Sequence, residues 1–213
     1  MKRTANAVAA AAVFLCCEAA LGQARKIETH TWRFDGRSLT DFEVEGGEAH
    51  FAEEDGAVAA KTFGGKNGGW HGPRASKRLT LEGDFRLATS IDFTPGGKAL
   101  GDITIGVELE SGRVLSLSIR DAHPWSEHIV RFYDKEEVIW TTGYVKSGKA
   151  LSKYSVEMKR SSGKLSVFTQ KRRRAVYELP DGSAVTKVFF TIRKSGKVPM
   201  VPEARIRELS IRP

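Results

Sequence analysis

Two short aromatic segments carry the side chains best suited to hold a ligand. They are Gly69-Trp70-His71-Gly72-Pro73-Arg74 and Arg120-Asp121-Ala122-His123-Pro124-Trp125. An indole offers a flat apolar face on which the C–H face of a sugar ring can stack, and charged or imidazole groups beside it can bond the sugar hydroxyls. We predict that both segments lie at one rim of the fold and form a single ligand-binding site: Trp70, His71, Arg74, Arg120, Asp121, His123 and Trp125. The alternative is that each indole packs against its own loop or closes one end of the core.

Three carboxylates define a second kind of chemistry. Glycoside hydrolysis needs two carboxyl groups about 5–10 Å apart. Glu108 and Glu110 have the spacing that places both on one face of a strand, and Asp102 lies further along that face. These residues are therefore candidate catalytic groups of a hydrolase that would use a carboxylate pair on its concave sheet. A solvated strand face would show the same pattern.

A basic run at Lys171, Arg172, Arg173 and Arg174 is a candidate patch for anionic ligands. At the tip of a hairpin it could bind sulfated or uronic-acid polymers by point charge and by paired guanidinium hydrogen bonds. Nucleic-acid binding would require aromatic residues interleaved on the same surface, and only Phe168 and Tyr177 flank the run. We therefore expect a carbohydrate partner, neutral or anionic, and no nucleic acid. The alternative is a solvated hairpin tip.

The elements that must position these residues are β-strands. Residues 84–93 alternate between an apolar and a polar face, and residues 102–109 and 113–120 form the clearest hairpin, through Ser111-Gly112. Further strands are predicted at 27–34, 50–52, 58–63, 129–133, 138–142, 154–159, 165–169, 176–179 and 188–192. The glycine- and proline-rich segment 68–73 predicts a turn or loop, and the broken alternation of 206–211 predicts a bulge or a terminal edge. Only 145–154 could hold a short helix. The pattern predicts an all-β, two-sheet antiparallel sandwich.

The N-terminus has the features of a cleaved secretory signal over residues 1–24. Lys2 and Arg3 precede a short apolar stretch, and small residues follow it. Both cysteines, Cys16 and Cys17, lie inside this segment, and Leu15 before Cys16 fits a lipoprotein signal poorly. We expect a secreted or periplasmic protein, with residues 25–213 forming one cysteine-free domain and no transmembrane segment.

Charge and motif content narrow the function classes. The chain has 34 Lys and Arg against 26 Asp and Glu, which favours anionic surfaces or polysaccharides as partners, although the same balance also serves solubility. No phosphate-binding loop and no G-x-S-x-G motif is present, and the region after residue 24 has no thiol. The five histidines show no metal-ligand spacing, so we predict no metal site and no cofactor.

Several motifs together resemble the concanavalin A-like lectin/glucanase superfamily, which includes laminin-G-like jelly rolls. They are Trp32-x-Phe34, Gly69-Trp70-His71-Gly72-Pro73, Gly83-Asp84-Phe85-Arg86-Leu87, and the run from Ser155 to Val167 with its Arg160 and Gly163. The resemblance covers nearly all of residues 27–213. It implies a jelly roll with a glycan-directed or surface-directed role, and it extends to the domains of secreted bacterial proteins similar to 3-keto-disaccharide hydrolases.

Two departures from this superfamily affect the expected activity. The E-x-D-x-x-E signature of the laminarinase type is absent, because Asp55 has no glutamate at the required position. Calcium is the ion that the resemblance would imply, but such sites use Asn and Asp, and Asn67 is the one asparagine after residue 24. We therefore expect a secreted carbohydrate-binding, lectin-like module. The alternatives are a glycoside hydrolase or related enzyme, and an adhesion domain without a small ligand.

Overall fold

The described residues of the chain fold into two eight-stranded antiparallel sheets that face each other. The computed structural model describes residues 28–46, 50–61, 70–93, 100–120, 129–142, 152–195 and 204–213; within these, the side chains of residues 70, 71, 100, 101, 194 and 195 are not described. In spatial order, sheet A consists of β14 (Arg172–Glu178), β13 (Lys164–Thr169), β12 (Lys153–Ser161), β7 (Phe85–Phe93), β16 (Ala204–Arg212), β4 (Ala57–Ala60) and β3 (Phe51–Glu54), and β1 (His30–Trp32) also pairs with β16. Sheet B consists of β11 (Glu137–Thr141), β10 (Ile129–Asp134), β9 (Val114–Arg120), β8 (Leu100–Leu109), β15 (Val185–Ser195), β6 (Arg74–Leu81) and β2 (Glu43–Val44), and β5 (Trp70–His71) also pairs with β15. The predicted all-β jelly-roll sandwich is confirmed.

Alternating apolar side chains from both sheets form one core. Strand β7 alternates without a break between buried and half-buried positions, as the sequence predicts. The β8–β9 hairpin brings Ile103 opposite Ile119 and Ile105 opposite Leu117, and all four side chains are buried. The outward face of sheet B therefore carries the intervening polar positions of these strands.

A buried arginine explains one of the motifs that resembles the jelly-roll superfamily. Arg160 lies on β12, stacks over the ring of Phe85 at 4.9 Å and donates hydrogen bonds to the carbonyl oxygens of Gly83, Asp181 and Ser183. It thereby joins the turn before β7 to the connection before β15. Burial lowers its pKa, because desolvation disfavours the charged form.

Segment 68–73 is predicted as a turn or loop, and this is wrong for Trp70 and His71. They form β5, paired with Ser195 and Lys194 at the end of β15. The pairing depends on Gly72, where a Cβ atom would lie 2.0 Å from the carbonyl oxygen of Ile192. Glycine therefore serves here to let two backbones approach, not to make a free loop.

The basic run and the C-terminal segment also differ from their predictions. The turn after β13 lies at Gln170 and Lys171, which both have positive φ, and residues 172–174 already belong to β14. The predicted bulge in the last segment is confirmed by a register shift between Ile206 and Glu208. A terminal edge is wrong, because β16 lies between β7 and β4. One 3₁₀ turn, Ser38–Asp41, was not predicted.

Candidate functional site

The outer face of sheet B carries a groove of about 560 Å³ that crosses five strands. At about 4.8 Å per strand it extends for about 19 Å, which suits an oligomeric ligand. Its lining is mixed, with three hydroxyl groups, one tyrosine, one exposed glutamate and several cations: Arg74, Thr104, Val114, Ser116, Tyr133, Lys135, Glu136, Phe189, Thr191 and Arg193.

One end of the groove is built around Asp102, whose side chain is 0% exposed. Its carboxylate accepts hydrogen bonds from Ser118 Oγ at 2.7 Å and Thr104 Oγ1 at 3.2 Å. Arg193 donates from Nη2 at 2.7 Å and from Nε at 3.2 Å, and Arg120 Nε lies 3.7 Å away. The acid is thus buried beneath two guanidinium groups, one on each neighbouring strand.

Glu108 forms a similar centre towards the other end of β8. Its carboxylate lies 2.7 Å from Arg74 Nη2 and 2.6 Å from Lys187 Nζ. The Arg74 guanidinium also stacks on the ring of Phe189, 3.9 Å from the ring centroid. Phe189 in turn lies over Gly106, where a Cβ atom would come within 2.3 Å of Phe189 Cζ. The orientation of Arg74 is therefore fixed by an aromatic face below it and a carboxylate beside it.

Two of the predicted catalytic carboxylates, Asp102 and Glu108, lie far apart along β8. Asp102 and Glu108 are six residues apart on one strand, about 20 Å, well beyond the range of a glycosidase pair. Glu110 is exposed in the turn after β8, and its backbone N–H bonds to the carbonyl oxygen of Ala184. The groove side of the described face presents cations and hydroxyl groups rather than a pair of opposed carboxylates.

The backbone brings Trp70 and His71 of one predicted aromatic segment to the same end of sheet B as Arg120, the first residue of the other. Arg120 pairs with Asp102, Asp102 pairs with Arg193, and the next residue of β15 pairs with His71. Three strand spacings, about 14 Å, therefore separate Arg120 from β5. The side chains of Trp70 and His71 are not described, and Asp121, His123 and Trp125 lie outside the described residues. The shared aromatic rim remains a prediction. Arg120 belongs to the charge centre around Asp102, and Arg74 belongs to the charge centre around Glu108.

The four basic residues of the Lys171–Arg174 run are exposed on the opposite sheet. Lys171 lines a cavity of about 200 Å³ on the outer face of sheet A, together with Arg86, Glu157 and Phe168. Arg174 Nε donates to Thr169 Oγ1 at 2.7 Å. Because β14 is an edge strand of sheet A, these charges also protect it from pairing with another chain.

Sequence reasoning missed several groove residues: Thr104, Ser116, Tyr133, Phe189, Thr191 and Arg193. One signal was available, since Lys187, Thr191 and Arg193 alternate with the apolar residues of β15. This pattern does not predict Phe189, because it is an apolar residue at a polar position of the strand. Its ring fits there because Gly106 on the neighbouring strand has no side chain.

The described residues contain no group of three or more His, Cys, Asp or Glu side chains arranged to hold a metal ion. Among the helices of the same part of the chain, none has the length and apolarity needed to span a bilayer.

Comparisons with known proteins identify the fold. No protein-family model matches the sequence, and no curated protein matches it either. Among solved structures, the chain is similar to the CBM2 module of the evolved Dit of Lactobacillus casei BL23 phage J-1, with a TM-score of 0.66 and 8% identity over 88% of this chain and 96% of that one. The Bacillus licheniformis β-glucanase has a TM-score of 0.62 at 6% identity, over 88% and 99% of the two chains.

A third similar structure is the carbohydrate recognition domain of Emp47p, with a TM-score of 0.57 and 12% identity over 90% of this chain and 98% of that one. At these identities the similarity concerns the fold. The sequence resemblance is therefore confirmed at that level: the protein has the concanavalin A-like jelly-roll fold, which it shares with these three structures.

Proposed function

We propose that this protein is a carbohydrate-binding, lectin-like module whose ligand lies in the groove on the outer face of sheet B. The observation that carries the proposal is the lining of that groove. The hydroxyl groups of Thr104 and Ser116 and the guanidinium groups of Arg74 and Arg193 suit sugar hydroxyls, and Tyr133 offers a ring for stacking. The size of the groove suits a chain of sugar units better than a single small ligand.

The comparisons support this proposal through the names of the similar proteins. They include a carbohydrate recognition domain, a β-glucanase and a laminarinase. A shared fold does not transfer an activity by itself, so the argument depends on the groove. The predicted rim residues Trp70, His71, Asp121, His123 and Trp125 belong to the proposal as an extension of the site beyond Arg120 and Arg193.

A glycoside hydrolase is the alternative function, and the geometry supports it less well. Asp102 and Glu108 are too far apart to act on one glycosidic bond, and each is engaged with two cations. Within the described part of the groove, Glu136 is the carboxylate that lines the cavity. Binding requires only the hydroxyl, guanidinium and aromatic groups that line the groove.

The proposal includes export. The basic residues at the N-terminus and the apolar stretch after them support cleavage of residues 1–24 and a periplasmic or extracellular location. N-terminal sequencing of the protein recovered from the periplasm or the medium would test this directly. A mature chain that still begins at Met1 would contradict it.

The binding site is tested by a glycan array and polysaccharide pull-down with the full chain. Tyr133→Ala should abolish or strongly reduce binding, as should Trp70→Ala and Trp125→Ala if the rim extends the groove. Phe168→Ala is the matched control, because Phe168 is also a half-buried aromatic residue on an outer face, but of sheet A. Each variant is first compared with the wild type by circular dichroism.

Two outcomes would overturn the proposal. Wild-type protein that binds no glycan, neutral or anionic, would favour a protein-contact domain. Loss of binding in Phe168→Ala with full binding in Tyr133→Ala would move the site to sheet A.

A further inference from the structure

We propose that the sheet B groove selects glycans that carry anionic groups, carboxylate or sulfate, and that Arg74 and Arg193 are the residues that bind those groups. This inference rests on the proposed function and names its ligand class. It depends on the two charge centres of the face and not on the basic run of β14.

The balance of charge on this face favours an anionic ligand. Among the described residues of this face, five cations and three carboxylates lie around the groove: Arg74, Arg120, Arg131, Lys187 and Arg193 against Glu45, Asp102 and Glu108. The adjacent Lys135 and Glu136 cancel each other. The face therefore keeps an excess of positive charge after its internal ion pairs are counted, which attracts anionic ligands.

The charged groups of this face lie at different depths. Asp102 is fully buried, whereas the side chains of Arg193 and Arg120 are 34% and 20% exposed. The acid thus lies beneath its two partners, and at this end the groove meets the Arg193 guanidinium group instead of the Asp102 carboxylate. Arg193 bonds Asp102 and Thr104 through Nε and Nη2, and a guanidinium group carries five N–H donors in all.

Arg74 and Arg193 are near neighbours on adjacent strands. Arg74 is opposite Thr191 on β15, and Arg193 follows two residues later on the same face. Such diagonal neighbours lie about 7–8 Å apart. Thr191 lies between them, and its hydroxyl oxygen is buried without a hydrogen-bond partner among the described residues. Two guanidinium groups therefore flank one position in the groove.

Both arginines are held in place before a ligand arrives. Arg193 donates two hydrogen bonds to Asp102, and Arg74 is stacked on Phe189 while paired with Glu108. A charged side chain that is already ordered loses little conformational entropy on binding. These acids are thus positioning residues for the two cations.

The test uses two matched pairs of polymers with the full chain: polygalacturonate beside its methyl-esterified form, and dextran sulfate beside dextran. Affinity is measured by isothermal titration calorimetry at constant ionic strength. We expect at least tenfold tighter binding of the charged member of one or both pairs. Which pair shows the difference identifies carboxylate or sulfate as the anion, and either result supports the proposal.

Three variants test which arginines cause the difference in affinity between charged and neutral polymers. Arg74→Gln should lower affinity for the charged polymer at least tenfold, and Glu108 remains paired with Lys187 in this variant. Arg193→Lys keeps the charge above Asp102 but loses the paired donors, and should lower affinity about fivefold to tenfold. Arg173→Gln removes one charge from the exposed β14 run and should change affinity less than twofold.

The possible failures are distinguishable. If the neutral and charged members of both pairs bind equally and Arg74→Gln has no effect, this inference is overturned and the proposed function stands. If Arg173→Gln lowers affinity as much as Arg74→Gln, the anion is bound by the β14 run or by general charge. If no polymer binds, the proposed function fails as well.

Discussion

Arg193 faces Asp102 across the ladder between β15 and β8 and donates two hydrogen bonds to a single carboxylate oxygen, at 2.7 Å from Nη2 and 3.2 Å from Nε. Asp102 is fully buried although it belongs to the outer face of its sheet. Two hydroxyl groups and a second arginine complete its surroundings. A polar centre of this kind orients the surface above it and also affects the stability of the fold.

Asp102→Ala should lower the free energy of unfolding by about 3 kcal/mol, because it leaves two partly buried guanidinium groups facing each other without their counter-ion. Glu208→Ala is the control, since the Arg33–Glu208 pair is 76% and 44% exposed at 3.5 Å and should contribute less than about 0.5 kcal/mol. Urea denaturation of both variants measures the difference. Equal and small losses would show that the Asp102 centre is not structurally important.

Gly72→Ala should lower the free energy of unfolding by at least about 3 kcal/mol, because its Cβ would lie 2.0 Å from the Ile192 carbonyl oxygen, and backbone atoms cannot easily move aside. Gly182→Ala is the matched control, since its Cβ would meet no atom within 4 Å. We expect the control to change stability by less than about 0.5 kcal/mol. Thermal and urea unfolding would reveal the contrast, and similar values for both glycines would contradict the close approach of β5 to β15.

Local sequence patterns predict the regular strands of this fold but not the pairing of β5. Strict alternation over residues 84–93 and 102–120 was sufficient to predict β7 and the β8–β9 hairpin, because side-chain direction in a strand has a period of two. Trp70 and His71 were assigned to a loop because glycine and proline surround them. Pairing with the distant residues 194 and 195 overrides that local preference, and no local pattern contains this information.

The site was less predictable than the fold. Glu108 and Asp102 were identified as chemically interesting, but their ion pairs depend on Arg74, Lys187 and Arg193, which come from strands far away in sequence. The role of Phe189 depends on Gly106, which is more than 80 residues distant. Residue type identifies candidate groups, whereas sheet order decides which of them share a face.

Two threonines should respond in opposite directions to the same change. Thr191→Val should raise the free energy of unfolding by about 1 kcal/mol, because the Thr191 hydroxyl oxygen is buried without a hydrogen-bond partner among the described residues. Thr89→Val should lower it by about 1 kcal/mol, because Thr89 Oγ1 donates to the Glu208 carbonyl oxygen at 2.7 Å. Urea titrations of the two variants check the signs. Destabilisation by both would mean that the Thr191 hydroxyl has a partner in solution.

Asp181 should make stability depend on pH in the acid range. Its pKa is lowered from 3.8 to about 2, chiefly by the hydrogen bond from Ser111 Oγ and then by those from the Ser183 hydroxyl and backbone N–H. Because the folded-state pKa lies below the unfolded value, this contribution is complete above about pH 4 and is lost as the pH falls through about 2.

After a discount for solvent screening at this surface position, the contribution is about 1 kcal/mol. Asp181→Asn should therefore destabilise the protein by about that amount at pH 7 and flatten its stability between pH 4 and pH 2. Ser111→Ala should reproduce part of the flattening, since it removes the largest cause of the shift. Asp134, whose pKa is lowered mainly by its hydrogen bond with Arg113, keeps some acid dependence in both variants. Urea denaturation at a series of pH values gives the curves, and an Asp181→Asn curve parallel to that of the wild type would contradict this assignment.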